Sequence, residues 1–520
     1  MAMKERKTCL LGIDMGTSSV KAGLFDIYGN PLGFADGVYS LYTPQSGWAE
    51  QKADEWWNTV AATVRRLIAG SGVCTTDIIG MSVDTTCCTV VLMDEHMNVL
   101  RPAIMWMDVR ASGQAKRITA TGHDMLKFNG YGNVSAETMP AKALWLKENE
   151  RETYDKARYV VECTDWLMYR LTGEMNASIS CAAARWYYDR PGGGFREDFY
   201  GAFGLEDVLE KFPPQVVDMG VRAGTLNKEA AVDLGLPEGL PVGEGGADAF
   251  VGMIGLDVVS PGKIAMITGS SHLHLGLVEN ELHSQGMWGS YPDAIVPGLQ
   301  LIEGGQTSTG SMVSWFQSNF CSGVEKEARE QGKSVYDLLN EGAQKLPIGA
   351  EGLLLLDYFQ GNRTPHADPD VRGMLYGLSL KHTPYHIYRA MIEGICFGTE
   401  NVMQAFRKSG TGLKGIYTCG GAAASRFWMQ THADVCNLPI YVPAVTQAPC
   451  LGAAILGAVA AGVYPDIKKA SAQMVKIKET IEPDSGRHEE YRFYFEKYIE
   501  AYDTSKNWMH KMTEKASNIV

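Results

Sequence analysis

Two short runs of glycine and hydroxyl residues, Gly16-Thr17-Ser18-Ser19 and Gly269-Ser270-Ser271, have the composition to hold phosphate. Each sits between apolar stretches: Leu10 to Ile13 before the first and Val20 to Phe25 after it, Ile264 to Ile267 before the second. A hairpin tip of this kind presents consecutive backbone N–H groups, glycine lets a ligand approach closely, and the hydroxyls add donors. Such a tip can cradle a phosphate without net positive charge, and two tips facing each other could hold a triphosphate. Asp14 stands just before the first tip, where a carboxylate can hold Mg²⁺ through water. A plain hairpin turn capped by Asp14 is the competing reading of one tip alone.

Further along, Gly243-Glu244-Gly245-Gly246-Ala247-Asp248 leads into an apolar helix. Asp248 can act as general base on a hydroxyl at the mouth of a cleft, or simply cap the helix. Gly420-Gly421-Ala422-Ala423-Ala424-Ser425 could let a flat ring lie against backbone, or could serve close packing. Asp84-Thr85-Thr86-Cys87-Cys88 and Trp106-Met107-Asp108-Val109-Arg110 offer the carboxylates, hydroxyls and aromatic faces that bind polyols. Asp108 and Arg110 read equally well as a structural ion pair. His272 and His274 share one face of a strand, but no third metal ligand accompanies them, so they read as core or cleft histidines.

Familiar alternatives fail. Gln331-Gly332-Lys333-Ser334 looks like the end of a P-loop, yet Glu327 occupies the required first glycine position. No strand-linked G-x-G-x-x-G and no C-x-x-C is present among the 11 scattered cysteines.

The elements that must position these residues follow from periodicity and composition. The 520 residues are 45% hydrophobic and 21% charged, an ordinary globular balance that excludes disorder, collagen and coiled coil. A net charge of −13 with no basic block argues against nucleic acid or an anionic membrane as partner. The apolar run after the charged Met1 to Lys7 is too short for a signal peptide. Ala448 to Tyr464, the longest apolar stretch, is broken by Pro449, Gly452, Gly457 and Gly462 and reads as a packed helix rather than a membrane span. The expectation is a soluble, cytoplasmic protein. Asp54 to Ile68 has helical spacing, strands and helices then alternate as in an α/β fold, and Ser485 to Lys515 reads as a closing helix or helix pair. The two similar tips, half a chain apart, predict two similar lobes meeting near Leu256 to Gly262.

In this order, the motifs resemble the FGGY family of carbohydrate kinases over essentially the whole chain. Leu11 to Lys21 resembles its first phosphate motif, Gly47-Trp48-Ala49-Glu50-Gln51 with Trp56-Trp57 the stretch after the first strands, and Ala247-Asp248-Ala249 the place of its base. Thr268-Gly269-Ser270-Ser271 resembles the second phosphate motif, Gly304-Gly305-Gln306 through Gly310 a segment on the nucleotide side, and Cys419-Gly420-Gly421-Ala422 with Ser425 the adenosine motif. The resemblance implies a two-lobed α/β fold of the actin-like ATPase and sugar-kinase type, with ribonuclease H-like lobes and a central cleft. Residues 1–256 would form the sugar-binding lobe and 257–520 the ATP-binding lobe. Asp248 would deprotonate a sugar hydroxyl, Asp14 would order Mg²⁺, and Gly16, Thr17, Ser18, Lys21, Gly269, Ser270 and Ser271 would hold the phosphates of ATP. Gly310, Gly420, Gly421, Ala422 and Ser425 would complete the nucleotide site, and Asp84, Thr85, Trp106, Asp108 and Arg185 would join Asp248 around the sugar. Asp84 to Cys88, Trp106 to Arg110 and Gly361-Asn362-Arg363-Thr364-Pro365 look most like the pentulose kinases of the ribulokinase type. Two departures are Arg185 before Trp186, where such relatives tend to carry Lys, and His272 beside the second tip. Xylulose, a tetritol such as erythritol and other polyols stay open as substrates. Outside catalysis, a nucleotide-dependent switch or a sugar sensor stays open as well. Sugar kinases of this type are commonly dimers, so a homodimer is possible.

Overall fold

The computed structural model describes residues 8–408 and 410–517; Met1 to Lys7 lies outside them. Cys9–Met15 is an apolar strand that turns at Gly16 to Ser18 and returns as Ser19–Asp26, followed by Pro31–Val38. The three are antiparallel neighbours, and Ile78–Thr85 pairs parallel with the first. Pro241–Gly243 and Arg222–Thr225 extend this sheet to one edge, and the short Gly246–Ala247 also pairs with Ile78–Thr85.

The second sheet repeats the plan. Lys263–Thr268 turns at Gly269 to Ser271 into His272–Val278, which pairs antiparallel with Gln300–Gln306. Gly415–Gly420 lies parallel beside Lys263–Thr268, as Ile78–Thr85 lies beside Cys9–Met15. Each phosphate-type tip therefore joins the same two strand positions of its own sheet. These strands are buried on both faces, which explains their continuous apolar runs.

Helices cover the sheets. Ala53–Ser71 buries Trp56, Trp57, Val60, Val64 and Leu67, one stripe of a 3.6-residue period, and ends at Gly72 in the left-handed region. Each large apolar side chain buried there contributes about 1.5–3 kcal/mol. Its N-cap is Lys52, so Asp54 sits inside the first turn rather than capping it. Gly332 and Ser334, the P-loop look-alike, end one helix and cap the next. The closing segment is one helix, Ser485–Ser517.

Ala448–Ala460 is almost wholly buried and is the seam of the molecule. Although it comes late in the chain, it lies on the first sheet and against Asp248–Gly255. A Cβ added at Gly12 would stand 1.9 Å from the Cys450 carbonyl, and one at Gly452 would stand 2.0 Å from the Val251 carbonyl. The small residues permit this approach.

Candidate active site

The first tip is held from three sides. Gly16 N–H donates to Ser19 O at 3.0 Å, Gln51 Nε2 donates to Thr17 O at 2.8 Å, and Trp106 Nε1 donates to Thr17 Oγ1 at 3.0 Å. The Tyr39 hydroxyl donates to the carbonyls of Gly16 and Ser19. Ser18 is left exposed. Thr309 and Ser311 N–H both donate to Ser270 O at 3.0 Å in the second tip, whose Gly269, Ser270 and Ser271 are exposed. Gly310 must be glycine there, because a Cβ would stand 2.2 Å from the Gly269 carbonyl. Gly420 has φ +96°, and a Cβ would approach the Thr268 carbonyl to 1.9 Å. Thr268 Oγ1 donates to Cys419 O at 2.8 Å and accepts from Ala422 N–H at 3.2 Å, tying the tip to the Gly420-Gly421-Ala422 turn.

Two cavities meet at this tip. The smaller, about 310 Å³, is lined by Thr17, Thr86, Cys87, Cys88, Trp106, Glu137, Arg185, Asp248, Glu303 and Arg363 as well as the tip. The larger, about 670 Å³, is lined by Gly310, Ser311, Tyr336, Asp337, Asn340, Tyr388, Gly421, Ala422 and Ser425. Gly269 and Ser270 belong to both.

Asp248 opens the helix Asp248–Gly255 but is not its N-cap, which is Ala247. Its Oδ1 accepts Ala249 N–H at 2.6 Å. Burial, then the Asp14 charge, push its pKa up to about 7, with the Ala249 bond pulling the other way. That value suits a base working near neutrality. Asp14 lies opposite Lys21 in the hairpin; burial raises its pKa and the Lys21 charge lowers it. Asp84 is paired in register with Asp14 on the neighbouring strand and is fully buried, with neither carboxylate oxygen hydrogen-bonded among the described residues. Burial, then the charges of Asp14 and Asp248, push its pKa well above the ordinary aspartate value.

Models of the N-terminal and C-terminal domains of the FGGY family of carbohydrate kinases match residues 9–255 and 264–461. The chain belongs to that family. It is 33% identical to an FGGY carbohydrate kinase domain-containing protein of Xenopus laevis over 95% of this chain and 96% of that one. It is 32% identical to a ribulokinase of Geobacillus thermodenitrificans, over 96% of this chain and 94% of that one. A xylulose kinase from Rhodospirillum rubrum has the same fold, with a TM-score of 0.86 at 26% identity over 96% of this chain and all of that one. The protein is thus an ATP-dependent carbohydrate kinase with a two-lobed, actin-like fold, and the switch and sensor readings fall away.

The smaller cavity takes in only part of the expected sugar-site set. Asp108 does not line it. Its carboxylate accepts Ala49 N–H at 2.6 Å and is held by Arg110 at 2.7 and 2.9 Å, while Arg110 also reaches Glu50 at 2.8 Å and stacks on Trp48. This is the structural ion pair. Thr85 is buried and bonded to Thr164 at 2.6 Å, and Asp84 lies beneath the floor, so Thr86, Cys87 and Cys88 face the cavity instead. The buried Lys142 ammonium holds the Cys88 carbonyl at 2.5 Å, beside a Cys88 φ of +63°. Gln306 is likewise structural, bonded to Asp357 and Thr399 in the core.

Arg185 does reach the cavity. It pairs with Glu303 at 2.9 Å and donates to Tyr291 Oη at 3.1 Å, and Arg363 shares the same carboxylate. Burial alone would raise the Glu303 pKa, but the two guanidinium groups hold it below the ordinary value. Glu303 was not singled out in the sequence, although it directly precedes the quoted Gly304-Gly305-Gln306, and Arg363 was quoted within Gly361 to Pro365 without a role of its own. Among the described residues no cluster of three or more His, Cys, Asp or Glu is arranged to hold a metal, and no helix is long and apolar enough to cross a membrane.

Proposed function

We propose that this kinase phosphorylates a ketopentose of the ribulose type, or a closely related small sugar, with residues 1–256 as the sugar lobe and 257–520 as the nucleotide lobe. One observation carries the reading: Gly269 and Ser270 line both cavities, so a base carboxylate in the smaller faces the phosphate end of the larger. The smaller cavity suits a short polyol. It sets Asp248, Glu303, Arg185 and Arg363 around a volume of about 310 Å³, with the Trp106 ring at its wall.

Asp248 takes the proton of the reacting hydroxyl as that oxygen attacks the terminal phosphorus of ATP and the bond from that phosphorus to the bridging oxygen breaks, releasing ADP. The amides and hydroxyls at Gly16 to Ser18 and Gly269 to Ser271, with Lys21 at the hairpin, stabilise the charge on the phosphoryl oxygens. The donor set also fits Mg²⁺, which takes one or two carboxylates together with water and substrate phosphates: Asp14 would hold it, beside an Asp84 whose buried oxygens are unpartnered. When bound, it supplies neutralisation of phosphate charge. Arg185 and Glu303 orient the sugar, each held rigid by the other.

The identity of the relatives named ribulokinase supports the pentulose choice. A coupled ADP-release assay tests it, with D- and L-ribulose, D- and L-xylulose, erythritol, erythrulose, ribitol and glycerol beside a no-sugar control. One ribulose enantiomer is expected to respond most strongly. A best response to a xylulose, a tetritol or another polyol replaces the substrate while leaving the chemistry, and ADP release independent of every sugar overturns the proposal.

A further inference from the structure

The wall of the larger cavity formed by Val335–Gln344 presents Tyr336, Asp337 and Asn340 on one helical face, three and four residues apart. Asn340 is locked. Its Oδ1 accepts from Tyr388 Oη at 3.0 Å and from Ser425 Oγ at 3.2 Å. Ser425 already accepts Trp428 N–H as the cap of the next helix, at 3.3 Å, so its single proton goes to Asn340. With the oxygen occupied, the amide can offer the cavity only its NH₂, which has no hydrogen-bond partner among the described residues. Asp337 is fixed by the capping box with Ser334, whose N–H it accepts through Oδ2 at 3.3 Å. Its Oδ1 is left as an acceptor one turn from the Asn340 donor.

We infer that Asp337 and Asn340 form an acceptor–donor pair that reads the base of the nucleotide and selects adenine over 6-oxopurines. The inference rests on this cavity being the nucleotide site. Adenine presents a 6-amino donor next to a bare ring nitrogen, which matches the pair. Guanine and hypoxanthine present a 6-oxo acceptor to the Asp337 carboxylate, and N1–H opposes the Asn340 donor on the same edge. Asp337 is exposed and Asn340 half-buried in the free protein; a bound base covers the pair, and a polar group covered without a partner costs enough to discriminate roughly tenfold.

The test is the ratio of kcat/KM for ATP to that for ITP, with one saturating sugar, in the wild type, Asn340→Asp and Tyr388→Phe. The wild type is expected to prefer ATP by roughly tenfold or more. Asn340→Asp replaces the donor by an acceptor and should shrink the ratio about tenfold by slowing ATP, with the KM for sugar unchanged. Tyr388→Phe frees the amide to turn and should lower the ratio several-fold, and it carries the test if Asn340→Asp does not fold. Active variants with the wild-type ratio, or a wild type that uses ITP as well as ATP, overturn the inference alone. If 8-azido-ATP labels the protein outside this cavity, the nucleotide-site reading fails and the inference with it.

Discussion

Asp248 combines an acid whose pKa lies near 7 with a place beside the phosphate tip, and both properties come from its surroundings. A free aspartate is a weak base at neutrality; burial and the Asp14 charge make this one stronger. Because Asp248, as the proposed base, acts deprotonated, kcat/KM for the sugar should rise with pH through about 7 and level off above it. A profile flat between pH 5.5 and 8.5 contradicts the assignment. Asp248→Asn should keep sugar binding, read by thermal shift, while turnover falls by ~10²-fold or more. Asp108 gives the contrast. Its removal leaves Arg110 with Glu50 as its ion-pair partner and Ala49 N–H without its acceptor, so Asp108→Ala should cost about 1–3 kcal/mol in denaturant titrations, with the sugar KM of the folded fraction near wild type. Aspartate next to Arg in a Trp-containing run looks the same in sequence whether it binds a ligand or a neighbour. Only the register of Ala49 against it decides.

At the scale of elements, two strand–tip–strand hairpins do the positioning, and each is stiffened by something distant in sequence. Thr17 is held by Gln51 and Trp106, and the second tip by Thr309, Ser311 and the Gly420 turn. Gly420→Ala should therefore act on nucleotide handling: with a Cβ 1.9 Å from the Thr268 carbonyl, the turn must move. We expect the KM for ATP to rise by roughly an order of magnitude and the KM for sugar to change little. Steady-state kinetics with each substrate varied in turn checks it. The hairpins themselves were legible, because apolar runs flanking Gly/Ser/Thr clusters specify strands and turns locally. Their stiffening was not, since it depends on side chains brought in by packing.

The whole molecule carries a buried ionic load that gives its stability a definite pH dependence. Burial pushes the pKa of Glu162 up to about 7 and of Asp165 to about 8, and Glu393 to about 7, beside Asp248. Unfolded, these carboxyls ionise near 4. Between those values the folded chain keeps protons the unfolded chain has lost, so stability falls as pH rises through the folded pKa values. Buried His274 and His432, held down to about 3, act with the opposite sign below the ordinary histidine range near 6.5, where the unfolded chain binds protons the folded one refuses. The ligand-free midpoint of thermal unfolding should therefore drop from pH 5.5 to 8.5, the two histidines offsetting only part of the effect of the four carboxyls below 6.5. A midpoint that climbs from 6.5 to 8.5 would contradict this account.

The amino-acid sequence by itself determined the paired tips, the strand and helix alternation, the place of Asp248 at the start of an apolar helix and the small-residue helix, because each is written in contiguous residues and local propensity. Tertiary structure alone decided that Ala448–Ala460 packs on the first sheet, that Asp108 serves Arg110, and that Glu303, Arg363, Asp337 and Asn340 face the cavities. Those placements depend on which strands pair and which helix faces meet. Burial, which then sets each group's charge state, is a property of the assembled neighbourhood and of no single stretch of chain.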